Sequence, residues 1–213
     1  MLKGIIFDFD GTLAETNTLI LKAMEKTFVA LFGACDDEQQ LLDCIGPPLI
    51  ETARRLFPEN PELFFETYRK YQFELHDGLV TAYPGVMEML DKLYEMDLKL
   101  AIVTSKKRDT FLKGLHKLEM EKYFYATVAE DDVTRHKPNP ESMNLVLSQL
   151  GLRADECIMV GDNYHDILAA HAVGMKSVAV GWAIKGLDFL MGYDPDFIMD
   201  EADDIFGIIE KLK

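Results

Sequence analysis

Two pairs of carboxylates have the spacing that chemistry would need. The first lies in Asp8-Phe9-Asp10-Gly11-Thr12, at the end of a short apolar run rich in Ile and Phe. Alternation along a strand puts Asp8 and Asp10 on one face, about 7 Å apart. Carboxylates that close repel unless a cation lies between them or one holds a proton. That favours a division of labour. Asp8 could attack phosphorus while helping to hold a metal, and Asp10 could carry a proton to and from the leaving oxygen. The plainer alternative is an Asx-turn closing a strand. The second pair, Asp162 and Asp166 in Gly161-Asp162-Asn163-Tyr164-His165-Asp166, enters a helix with four-residue spacing and makes a half-site for a hard cation. Its alternative is helix capping aided by the helix dipole. A hydroxyl and cationic complement comes from Thr104-Ser105, followed by Lys106 and Lys107, and from Lys137. A strand-tip hydroxyl and a lysine charge can hold a transferring phosphoryl group.

These residues need a scaffold that brings them together. Residues 3–9, 99–104, 125–129, 157–161 and 177–181 are short apolar runs that read as buried strands, and 197–199 adds an edge strand. Helical patterns at 84–96, 140–150, 164–173 and 203–212 separate them, with Pro84 and Pro140 as starts and Gly151 as a stop. Strands alternating with helices predict an α/β fold, a parallel sheet flanked by helices. Active sites in such sheets form beyond the carboxyl ends of the strands, where the strand order reverses. Both acidic pairs converge there if the first and fourth strands are neighbours. Four clustered carboxylates then call for a metal, and magnesium suits phosphate oxygens and few protein ligands.

The first crossover is too long for an ordinary connection. Ile20, Met24, Phe28 and Leu31 form a helical stripe ended by Gly33, and Asn60-Pro61 opens another helix with Leu63, Phe64 and Tyr68 in step. Residues 15–80 therefore read as an inserted helical cap, hinged near Thr12–Thr16 and Val80–Pro84, with the core formed by 1–14 and 81–213.

The 213 residues carry 22 Lys plus Arg against 37 Asp plus Glu, a formal charge of −15. So acidic a chain argues against nucleic acid or a membrane surface as partner. An anionic substrate would need a metal and a few well-placed cations. Three cysteines without a C-x-x-C pair, and no signal-like or membrane-length run, fit a reducing cytoplasm.

In this order the motifs resemble the haloacid dehalogenase-like phosphohydrolase superfamily over nearly the whole chain. Asp8-Phe9-Asp10-Gly11-Thr12 matches its first motif, Thr104 the second, Lys137 the third, and Asp162 with Asp166 the fourth. The resemblance implies a Rossmann-like core of sheet order 3-2-1-4-5 with an inserted helical cap. It implies a phosphorylated Asp8, acid–base work by Asp10, and phosphoryl binding by Thr104 and Lys137. Magnesium would be held by Asp8, the Asp10 backbone carbonyl, Asp162 and Asp166. Thr12, Gly46, Thr104, Ser105, Lys137 and Asn163 are expected at the substrate.

Within the superfamily the chain is similar to bacterial pyrophosphatases of the PpaX type. The carriers are Ile45-Gly46-Pro47-Pro48-Leu49, His76-Asp77-Gly78-Leu79-Val80, Asp131-Asp132-Val133, the Gly161–Ile167 segment and Trp182-Ala183-Ile184-Lys185-Gly186. Tyr164 stands where that type often has a second His, and Glu15 where it often has an Asn. Phosphoglycolate phosphatases share the architecture. The expected substrate is a small phosphorylated compound, either pyrophosphate or an organic phosphate, and the expected assembly is a monomer or homodimer. For pyrophosphate, Arg54, Arg55, Arg69, Lys70 and His76 of the cap, and Lys185, are the cations available to a distal phosphate. A sugar-phosphate mutase, a haloacid dehalogenase and a non-catalytic phosphate-binding module remain the rival readings.

Overall fold

The computed structural model describes residues 1–35, 38–45 and 49–213. In chain order the elements are β1 (Gly4–Phe7), β2 (Ala14–Glu15), α1 (Asn17–Phe32), α2 (Glu38–Leu42), α3 (Leu49–Leu56), α4 (Pro61–Leu79), β3 (Thr81–Ala82), α5 (Val86–Tyr94), β4 (Lys99–Val103), α6 (Arg108–Lys117), β5 (Ala126–Val128), α7 (Glu141–Leu150), β6 (Cys157–Gly161), α8 (Tyr164–Ala172), β7 (Lys176–Val180), α9 (Leu187–Met191), β8 (Phe197–Met199) and α10 (Asp204–Lys211). They form two compact units, Met1–Ala14 with Ala82–Lys213, and Glu15–Thr81. The short strands β2 and β3 pair with each other where the chain leaves and re-enters the first unit.

The larger unit is built on a six-stranded sheet of order β5-β4-β1-β6-β7-β8, all parallel. This is the α/β architecture that the alternation of strands and helices implies, and its strand order is the 3-2-1-4-5 implied by the resemblance, with β8 added at the edge. The central strands are apolar throughout because both faces are covered. Ile5 and Phe7 of β1 face a core shared with Val86, Met89, Leu90 and Leu93 of α5, Phe111 and Leu115 of α6, and Ile205, Ile208 and Ile209 of α10. Ile6, one residue out of phase, faces Met143, Val146, Leu147 and Leu150 of α7 and Ala169 and Ala170 of α8. Gly151 ends α7 in the left-handed region at φ 65, where a residue without Cβ carries little strain.

The smaller unit has its own core, in which Ala23, Met24 and Phe28 of α1 pack with Ala53 of α3 and Phe64 and Tyr68 of α4. The Phe28 and Phe64 rings meet edge to face at 6.1 Å. The expected stripes are slightly out of register. Leu19 rather than Ile20 leads the buried face of α1, and Leu63 is exposed. The Asn60 side chain explains that exposure: it accepts from the Leu63 N–H at 3.2 Å, which fixes the start of α4 so that Phe64, one residue on, points inward. No helix among the described residues is long and apolar enough to cross a membrane.

Candidate active site

The chain adds strands on one side of β1 as β4 and β5, then on the other as β6, β7 and β8. The carboxyl ends of β4, β1 and β6 therefore border the place where strand order reverses. Asp8 follows β1 directly, and its N–H donates to the Val160 carbonyl of β6 at 2.9 Å. Asp162 follows β6, and Thr104 follows β4 with its N–H on the Val128 carbonyl, also at 2.9 Å. Sheet register alone thus brings three sequence-distant positions to one edge.

The side chains complete the convergence. Ligand oxygens of Asp8, Asp162 and Asp166, all buried, lie within 4.8 Å of one another. Asp166 sits in the first turn of α8, where one oxygen accepts from the Asn163 N–H at 3.1 Å and the other from Lys137 Nζ at 2.5 Å. Lys137 Nζ also reaches Asp8 at 3.2 Å and the Val103 carbonyl at 3.1 Å, with its side chain 3% exposed. The Thr12 hydroxyl approaches Asp162 at 3.4 Å. Two glycines make room for this packing. A Cβ on Gly11, which also has φ +78, would overlap the Asp162 carboxylate, and one on Gly161 would overlap Asp166.

Asp10 is not part of the buried triad. Its carboxylate pairs with Lys106 Nζ at 2.6 Å, beyond β4. The expectation of Asp10 as a metal ligand therefore rests on its backbone carbonyl. The Thr104 hydroxyl accepts from the Lys106 N–H at 3.2 Å. Ser105, between them, is partly exposed. Asn163, also expected at the substrate, has its side chain engaged within its own turn. Its Oδ1 accepts from the His165 N–H and the His165 ring, so it caps α8. Gly46 lies outside the described residues.

Two contacts were not legible in the sequence. Lys106 belongs to the cluster through Asp10, and Trp182 Nε1 donates to the Thr12 carbonyl at 3.2 Å. The indole thus braces the turn that carries both Asp10 and Thr12, and it packs against Tyr83. Neither a lysine after a strand nor a lone tryptophan carries a spacing signal.

Electrostatics dominate the cluster. Burial is the largest influence on Asp8; with the charges of Asp166 and Asp10 it outweighs Lys137 and the Phe9 N–H, raising the Asp8 carboxyl from 3.8 to about 7. Burial, then Asp8 and Asp166, hold Asp162 well above its ordinary value. Burial alone would lower Lys137, but the neighbouring Asp166 and Asp8 carboxylates prevail and hold it above the usual lysine range. Fully ionised, the four carboxylates would outnumber the two ammonium groups by two charges, and without a cation, burial holds Asp8 and Asp162 toward their neutral forms.

Lys137→Met should therefore be costly. It strips Asp8 and Asp166 of a buried counter-charge, and breaking such a pair destabilises by roughly 3–5 kcal/mol. Chemical denaturation in EDTA should show that loss, and Asp166→Asn in the same chain should recover part of it. An unchanged midpoint in Lys137→Met would mean the pair does not form in solution.

The comparisons point the same way. The haloacid dehalogenase-like hydrolase model matches residues 5–180. A pyrophosphatase PpaX from Halalkalibacterium halodurans is 42% identical over 208 residues, 98% of this chain and 97% of that protein. One from Bacillus pumilus is 40% identical over 98% of this chain and 96% of its own. Among solved structures, a haloacid dehalogenase-like family hydrolase from Streptococcus pneumoniae superposes with a TM-score of 0.87 at 24% identity, over 98% of each chain. A "predicted phosphoglycolate phosphatase" from Haemophilus somnus gives 0.88 at 23% identity over the same shares. At those identities the solved structures speak for the fold. The family itself follows from the model and the near end-to-end kinship: this chain is an enzyme and belongs to the haloacid dehalogenase-like hydrolases.

Proposed function

We propose that the protein is a magnesium-dependent pyrophosphatase that works through a phosphorylated Asp8. Near-full-length kinship of about 40% to pyrophosphatases PpaX carries the choice of substrate. For the chemistry, support comes from a buried carboxylate nucleophile held against a lysine at the sheet's reversal point.

Asp8 attacks the phosphorus, and the bond from phosphorus to the bridging oxygen breaks as Asp10 gives that oxygen a proton. Water then attacks the phosphorus of the Asp8 phosphate and passes a proton to Asp10. The bond to Asp8 breaks, and a second phosphate leaves. Lys137 and the Thr104 hydroxyl neutralise and orient the phosphoryl oxygens throughout.

The donor set fits magnesium. Three buried oxygen ligands converge, no nitrogen or sulfur ligand joins them among the described residues, and the two charges left over when every carboxylate ionises equal those of one divalent cation. When bound, the ion supplies charge shielding between the nucleophile and the anionic phosphoryl group.

Specificity we assign to the helical unit. His76 there is fully buried with Nδ1 3.0 Å from Asp77. Arg69, Lys70 and Lys185 lie over the rings of Phe65, Tyr71 and Phe189, and Arg55 donates to the Asp43 carbonyl, while Arg54, Arg55 and Lys70 are exposed. Their exposure leaves Arg54, Arg55 and Lys70 as the cap cations we assign to pyrophosphate, which carries more negative charge than a monoester.

Phosphate release with magnesium from pyrophosphate, 2-phosphoglycolate and a panel of sugar phosphates tests the assignment. Pyrophosphate should exceed every monoester in kcat/KM by at least about tenfold, on the order of 1.4 kcal/mol of discrimination. A preference for 2-phosphoglycolate would move the substrate and keep the mechanism. An isomerised sugar phosphate without release would make the protein a mutase.

A further inference from the structure

We propose that Lys106 is a positioning residue for Asp10. Its ammonium, fixed beyond the tip of β4, holds the Asp10 carboxylate where it can hand its proton to the leaving oxygen. This rests on Asp10 acting as the proton carrier.

Three observations carry it. First, the pair is close and shielded. Lys106 Nζ lies 2.6 Å from Asp10 Oδ1, with side chains 6% and 19% exposed. Such a pair does not share the weak, screened character of a surface salt bridge.

Second, Lys106 is itself held along its length. Its N–H donates to the Thr104 hydroxyl at 3.2 Å, and its carbonyl accepts from the Glu130 N–H at 3.0 Å. Its Nζ lies over the Phe9 ring at 5.9 Å, and that buried ring meets Phe111 edge to face. A flexible side chain anchored at both ends can fix the group it touches.

Third, the contact is selective between the two oxygens. An ammonium only donates, so Oδ1 stays an acceptor whether Asp10 is charged or neutral. The contact at Oδ1 thereby sets the direction in which the rest of the Asp10 carboxylate points. The two lysines also divide their work, since Lys137 serves Asp8 and Asp166 and Lys106 serves Asp10.

Single-turnover release of the leaving group, with enzyme in excess and magnesium present, isolates the first transfer. Two esters of similar size serve as probes. Benzyl phosphate must expel an alkoxide too basic to leave unprotonated, whereas 4-nitrophenyl phosphate expels a phenolate that leaves without a proton. Lys106→Met should slow benzyl phosphate by about 10- to 100-fold and 4-nitrophenyl phosphate by less than about threefold. Lys106→Arg should restore most of the benzyl rate. Equal slowing of both esters, or of neither, overturns the inference.

Asp10→Asn run in parallel separates the inference from the reading beneath it. If Asp10→Asn slows both esters alike, Asp10 is not the acid and the underlying reading fails. If Asp10→Asn discriminates between them and Lys106→Met does not, the positioning role alone fails. Should Lys106→Met not fold, Lys106→Gln is judged by the same two rates.

Discussion

Asp8→Asn should abolish turnover, lowering kcat by roughly 10⁴-fold or more, as loss of a nucleophile does elsewhere, and it should do so without destabilising the protein. The amide has nearly the shape of the carboxylate but cannot attack phosphorus. Its effect on stability runs against intuition. Asp8 is buried beside Asp166 and Asp10, and its ionised form is disfavoured there. Removing that charge relieves repulsion, while Lys137 keeps its 2.5 Å contact with Asp166. In EDTA at pH 8 the variant should melt no lower than the parent. A site arranged for chemistry at the expense of stability behaves this way. Acid-quenched enzyme from the parent should carry an acyl-phosphate that hydroxylamine cleaves, and the variant should carry none. Turnover within tenfold of the parent would remove Asp8 from the role of nucleophile.

The sequence exposed the parts of this molecule that repeat a period or a spacing. Six apolar runs between helical patterns defined the parallel sheet, and its register brings Asp8, Thr104 and Asp162 together. The helical stripes were legible to within one residue, and the misfit has a local cause in the Asn60 cap, which places Phe64 rather than Leu63 inward. Contacts between residues far apart were not legible. Lys106 and Asp10 are 96 positions apart, and a lysine after a strand is ordinarily solvated. The same limit explains Asn163. Its neighbours in sequence place it at the site, but its side chain satisfies backbone and ring donors of His165. Chain spacing says which residues reach a sheet edge, whereas side-chain pairing depends on which donors are left over when the edge is assembled.

Chelation of divalent metal should stop turnover entirely, and added magnesium should restore it. Once ionised, Asp8, Asp10, Asp162 and Asp166 leave two negative charges after Lys106 and Lys137 are counted, and a phosphoryl substrate adds more. Without a cation, the nucleophile and its target repel each other. The same balance makes stability depend on pH and metal together. Asp8 ionises near 3.9 in an unfolded chain and at about 7 in the folded, metal-free one. A carboxyl raised on folding stabilises through its protonated form. That stabilisation is complete below about pH 4 and is lost as pH climbs through about 7. The metal-free protein should therefore weaken across that window. Magnesium needs the ionised carboxylates, so it should compensate where the loss is greatest. At roughly one hundred times its Kd, binding contributes about 2.7 kcal/mol, or about 5–10 °C in Tm for a chain of this size. That shift should be present at pH 8 and nearly absent at pH 5. A shift of equal size at both values would mean the ion binds away from the buried triad. No shift at either, with activity intact in EDTA, would remove the metal from the mechanism and leave Lys137 to neutralise the phosphoryl group by itself.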